Sequence, residues 1–90
     1  MEENNSDRSK ARLDEQHEWP CVYMFKFIML NNEEKTEEFF AIFSGTVDIN
    51  RKYSKDRKYV SYTVDEVMVN ADAVLARYKE VGQIEGVIAL

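Results

Sequence analysis

Between Trp19 and Leu30 the chain reads Trp-Pro-Cys-Val-Tyr-Met-Phe-Lys-Phe-Ile-Met-Leu, its longest apolar run, interrupted by a single charge at Lys26. The run is rich in aromatic residues and opens on a proline, which has no N–H for a ladder and suits the first position of a strand. A central strand is predicted here, and the rest of the chain must be built around it. Successive strand side chains point to opposite faces. Tyr23, Phe25, Phe27 and Met29 therefore share one face, and Val22, Met24, Lys26 and Ile28 the other. The first set has the bulk of a core. The second is apolar apart from Lys26, which predicts partial cover.

The elements that follow are read in order. Asn31 reads as an N-cap with Glu34 at N3, a loose capping box. Thr36, Phe39, Phe40, Phe43 and Val47 follow helical spacing, with Ile42 at the margin and Gly45 as the stop. Thr46 to Tyr53 alternates as a strand, Ser54-Lys55-Asp56 has turn chemistry, and Lys58 to Met68 reads as a long second arm of a hairpin. Asn70 caps a second helix with Ala71, Val74, Leu75, Tyr78 and Val81 along one stripe, ending at Gly82. Gln83 to Leu90 reads as a last strand, with Ile84, Gly86, Ile88 and Leu90 alternating against Glu85, Val87 and Ala89.

The order β-α-β-β-α-β, with right-handed crossovers, gives a four-stranded antiparallel sheet with two helices on one face. This is the α+β, ferredoxin-like sandwich, in which the first and third strands are central. It occupies residues 19–90. Residues 1–18 are polar, with Met1, Ala11 and Leu13 as their only apolar members, and read as a flexible tail.

Composition excludes several classes of function. One cysteine, Cys21, allows no internal disulfide, and with the one histidine, His17, it furnishes no zinc site of the usual kind. No stretch approaches the roughly 20 apolar residues of a membrane span, and the N-terminus has acids where a signal peptide is apolar. A reducing, cytoplasmic setting is the expectation. A net charge of −5 argues against nucleic acid as the main partner. His17 and Cys21 lack an orienting third group, so no enzyme and no cofactor are expected.

Binding surfaces are the remaining candidates. Lys26 reads either as a solvated lysine whose stem covers Met24 and Ile28, or as a cation for an anionic ligand or partner. With Val22, Tyr59, Val87 and Ala89, these residues predict an apolar patch on a sheet face lacking a second layer. Self-association through that face or an edge strand follows, most simply as a two-fold dimer. Arg51, Lys52, Lys55, Arg57 and Lys58 place five of twelve cations in one hairpin. They read as solvated edge protection or as an anion site. Glu33, Glu34, Glu37 and Glu38 suit the positive end of a helix dipole and lack the convergence of a metal site. Arg57-Lys58-Tyr59-Val60-Ser61-Tyr62 is a faint echo of an RNA-stacking strand, without its glycine and second outward aromatic.

The Pro20-to-Met29 run, the acidic-to-aromatic helix after it, Ser54-Lys55 with Tyr59, and the closing Tyr78-Lys-Glu-Val-Gly82-Gln-Ile together resemble the YbeD-like family of small bacterial proteins of unknown function. The resemblance covers Trp19 to Leu90. It implies a ferredoxin-like fold similar to the ACT domains that sense small molecules in amino-acid metabolism, and a regulatory role. Met29-Leu30-Asn31-Asn32 stands where relatives and ACT domains often carry glycine, which departs from an ACT-like ligand site. The leading expectation is a regulatory or adaptor domain that binds protein, as a homo-oligomer. An ACT-like sensing module is the alternative, followed by an RNA-binding one.

Overall fold

The computed structural model describes residues 5–45 and 47–90, with side chains from residue 8 onward. Its elements are α1 (Asn5–Gln16), β1 (Cys21–Leu30), α2 (Glu33–Ile42), β2 (Asp48–Tyr53), β3 (Tyr59–Met68), α3 (Ala71–Gly82) and β4 (Ile88–Ala89). The four strands form one antiparallel sheet in the order β2-β3-β1-β4, so the two longest strands are central, as their sequence requires.

Alternation in β1 and β3 fixes the core. Phe25, Phe27 and Met29 of β1 and Val60, Tyr62 and Val64 of β3 are buried on the face toward the helices. Register places them side by side, with Phe25 opposite Val64, Phe27 opposite Tyr62 and Met29 opposite Val60. From above come Phe39 and Phe43 at α2, Val74 and Val81 of α3, and Ile84 just beyond it. Phe39 stacks on Tyr62 with ring centroids 4.5 Å apart. α3 begins at Asn70, whose side chain accepts from Ala73 N–H at 2.8 Å.

One side chain ties both helices to the sheet. Arg77 of α3 makes a two-pronged ion pair with Glu66 of β3, at 2.9 and 2.6 Å. It also donates to the carbonyl of Ile42 at the end of α2, at 3.1 Å.

Four sequence expectations are corrected. The stretch read as a flexible tail contains α1, which packs on α3. A short polar helix is marginal alone. This one is held by Leu13 against the core, by Lys10 to Asp72 at 3.2 Å, and by Trp19 Nε1 donating to Asp14 at 2.8 Å.

The cap of α2 is Asn32 rather than Asn31, so Lys35, not Glu34, stands at N3. Asn31 is engaged elsewhere: its backbone N–H donates to Lys58 O and its side chain to Arg57 O, both at 2.9 Å. α2 stops at Ile42, short of Gly45, because Phe43 leaves the helix to enter the core.

The last strand is two residues long, not eight. Ile84 is buried, and its N–H and that of Val87 close turns onto Val81 and Ile84 carbonyls. Gly86 then adopts φ +82°, a backbone region nearly closed to other residues. β4 starts only at Ile88, opposite Ile28, with Ala89 opposite Phe27. Ile88 therefore joins the outer sheet face, in place of the expected Val87 and Ala89.

Candidate functional site: the open face of the sheet

The helices cover one side of the sheet, and the other side is assembled from the alternate residues of every strand. Cross-strand register arranges it in rows. Val22 lies beside Val67. Next come Met24, Asp65 and Asp48, then Lys26, Thr63 and Asn50, then Ile28, Ser61 and Lys52, and finally Leu30 with Tyr59. Ile88 flanks Ile28. Val22, Met24, Val67 and Ile88 are 63, 62, 65 and 59% exposed. These are high values for apolar side chains clustered on one surface.

Charge varies along the strands. Asp48 and Asp65 stand directly opposite one another, a pairing that costs a few tenths of a kcal/mol or more in water. Four residues along β2, Lys52 gives the other end a positive character, and Lys26 lies between. Lys26 is exposed and makes no ion pair among the described residues. Ile28, Lys52, Tyr59 and Ser61 line a shallow hollow of about 210 Å³, so three of the sequence candidates do converge.

The basic hairpin does not form one patch. Arg51 is on the helix side of β2, opposite Tyr62, while Lys52 faces the open side opposite Ser61. Arg51 lies 5.4 Å above the Phe40 ring and donates to the Tyr53 hydroxyl at 3.0 Å. Arg57 covers the other part of Tyr53, at 5.1 Å. Lys55, Arg57 and Lys58 belong to the turn. Asp56 orders it by accepting from Lys58 N–H and the Ser54 hydroxyl, and these bonds hold its carboxyl below the usual range. Arg57 sits at φ +61° in that turn, a left-handed conformation in which glycine or asparagine is the commoner choice.

Two further contacts were not evident in the sequence. His17 Nδ1 lies 3.9 Å from Cys21 Sγ, between the rings of Trp19 and Tyr23. α1 brings that histidine to the strand, and without α1 the proximity in sequence carried no geometry. The hydroxyls of Tyr23 and Tyr78 are 3.0 Å apart. Burial, and then the hydrogen bond to Tyr23, push the Tyr78 phenol well above its ordinary value near 10. A raised folded-state pKa gives stability that is complete below pH ~10 and declines as pH rises past it. Urea midpoints should therefore fall between pH 9 and 11.5 more steeply for the wild type than for Tyr78→Phe. Parallel profiles would remove Tyr78 as the cause.

Residues 14–90 match the family model described as "Protein of unknown function (DUF493)". The chain belongs to the DUF493 family. A UPF0250 protein of Haemophilus ducreyi is 27% identical over 88 residues, covering 93% of this chain and 91% of that one. These matches bear out the YbeD-like resemblance to small bacterial proteins of unknown function. The solution structure of protein HP0495 from H. pylori superposes on the DUF493 chain with a TM-score of 0.66 and 19% identity. The match covers 100% of this chain and 98% of that one, and supports the α+β fold. No helix among the described residues is long and apolar enough to cross a membrane.

Proposed function

We propose that this DUF493 chain is a small cytoplasmic regulatory or adaptor domain that acts by binding protein, self-association included, through the open sheet face, and performs no catalysis. The observation that supports this is the exposure of Val22, Met24, Val67 and Ile88 on a face to which no described helix contributes. Large apolar side chains exposed together on one face are the usual mark of an interaction site. The opposed Asp48 and Asp65 at one end, with Lys26 and Lys52 toward the other, favour a partner with basic and acidic groups in the reverse order.

No specific observation favours the alternatives. An ACT-like site would use the loop after β1, where Asn31 and Asn32 are already committed to bonds within the chain. An RNA platform needs outward aromatics on both central strands. Of the outward residues on β1 and β3, only Tyr59 is aromatic.

The test uses cross-linking in cells of the source organism, with the wild type beside Val67→Asp, Lys26→Met and, on the helix side, Ala76→Asp. Partners recovered by the wild type and Ala76→Asp should be lost at least tenfold in Val67→Asp and weakened in Lys26→Met. Full retention by both face variants would retire the reading.

A further inference from the structure

The smallest side chain on the open face is Ser61, set between Ile28 of β1 and Lys52 of β2, with Tyr59 next along β3. Its hydroxyl is turned onto the Lys52 carbonyl at 3.3 Å, so it does not fill the space between its larger neighbours. That is the origin of the hollow of about 210 Å³, with Ser61 as its floor and Ile28 and Tyr59 as apolar walls. A space of roughly 150 Å³ accepts a benzene ring, so one aliphatic or aromatic side chain fits here.

Three lysines surround it. Lys52 is in the same cross-strand row, Lys26 is in the adjoining row, and the Lys58 ammonium lies 5.8 Å from the centre of the Tyr59 ring. All three are exposed, and none forms an ion pair among the described residues. From Lys52 to Lys58 four cations stand against Asp56 alone, a local +3 in a chain of −5. Asp56 is held within the turn by the Ser54 hydroxyl and the Lys58 N–H. The next acids on this face, Asp48 and Asp65, are two rows from the hollow. Two rows span roughly 13 Å, beyond the ~8 Å over which exposed charges act at physiological salt.

We propose that this hollow takes an acidic segment of another protein. One aliphatic or aromatic side chain enters over Ser61, and carboxylates on either side of it meet Lys26, Lys52 and Lys58. The proposal rests on the open-face reading above, and names the chemistry of the partner and the part of the face that holds it. A small metabolite would be too little enclosed, since such ligands bury most of their surface in pockets of about 300–1,000 Å³. A segment of chain needs only one anchoring side chain and gains its other contacts along the strands. Nucleic acid is disfavoured by Asp48 and Asp65, onto which a phosphate backbone extended along the sheet would run.

The full chain, immobilised, can be used to select from a random peptide library, with a single-stranded DNA probe offered in a parallel arm. Selected peptides should carry leucine, isoleucine, methionine or phenylalanine between aspartates or glutamates. The tightest of them, labelled with fluorescein and followed by anisotropy, should bind about tenfold more weakly at about 500 mM salt than at about 50 mM. Ser61→Phe fills the hollow with a residue suited to a central strand, and should weaken binding about tenfold or more with an unchanged circular dichroism spectrum. Lys52→Glu should do likewise. Lys79→Glu makes the same change of net charge on the exposed side of α3, and should leave affinity within about twofold.

Peptides without acidic residues, affinity indifferent to salt, or binding kept in Ser61→Phe would overturn the proposal. So would a selection that yields no peptide, or a preference for the DNA probe over every peptide. Binding lost in Val67→Asp but kept in both Ser61→Phe and Lys52→Glu would move the contact to the other end of the face, removing this site and sparing the open-face reading. Binding kept in Val67→Asp, Ser61→Phe and Lys52→Glu alike would remove both.

Discussion

Replacing Phe39 with alanine should destabilise the protein by about 3–5 kcal/mol, the range for removing a large aromatic side chain from a closed core. Phe39 is fully buried. Its ring stacks on Tyr62 at 4.5 Å and meets Phe43 at 5.0 Å and Phe27 at 5.7 Å. These neighbours come from three parts of the chain, so no single side-chain rotation fills the space. A small domain has a total stability toward the lower part of the usual 5–15 kcal/mol, so one such loss consumes much of it. Each kcal/mol lowers the melting temperature of a chain this size by about 4–8 °C. A melt depressed by at least about 12 °C is therefore expected, with the open face chemically unaltered. A shift below 5 °C would mean that α2 can collapse onto the sheet and that this core is less tightly interlocked than its ring contacts imply.

Much of this arrangement was legible because it is local. Alternation in β1 assigned Phe25, Phe27 and Met29 to the core without knowledge of partners, and Asn70 marked the start of α3 by its own side chain. The misread parts depend on distant residues. Asn31 and Asn32 are chemically equal as caps, and what separates them is the hairpin turn that takes the polar groups of Asn31. α1 has one leucine to recommend it, and its support comes from α3 and from Trp19. The shortness of β4 follows from Ile84 turning into the core, an event that alternating apolar residues cannot distinguish from a strand.

The candidate site was legible in outline and misassembled in detail. Met24, Lys26, Ile28 and Tyr59 share the open face because period two assigns them to it. The same rule, applied to β2, puts Arg51 and Lys52 on opposite faces, so alternation alone is enough to divide the hairpin cations. One packing choice at the end of α3 places Ile88 on the open face in place of Val87 and Ala89.

Arg77→Met should cost about 2–4 kcal/mol, although it replaces a charged residue with an apolar one in a small domain. The pair that Arg77 forms with Glu66 is mostly withdrawn from water, with side chains 23 and 14% exposed. Arg77 also donates to the Ile42 carbonyl, and its guanidinium lies 5.0 Å over the Phe43 ring. Methionine can keep much of the stem's packing. It leaves Glu66 with neither of its two charge-assisted bonds, and an abandoned, largely buried carboxylate is the main penalty. The remaining solvent access keeps the value below that of a fully enclosed pair.

Glu80 provides the internal contrast. It meets the same guanidinium at 3.2 Å but is 52% exposed, so Glu80→Gln should change stability by less than about 0.5 kcal/mol. Urea denaturation of Arg77→Met, Glu66→Met and the double variant measures the coupling directly. A double variant about 1–3 kcal/mol more stable than the sum of the single losses is expected, because the second substitution removes the stranded charge. Strict additivity would show that Glu66 and Arg77 are each sufficiently hydrated to stand alone, and that the tie between α2, α3 and the sheet is made by apolar packing.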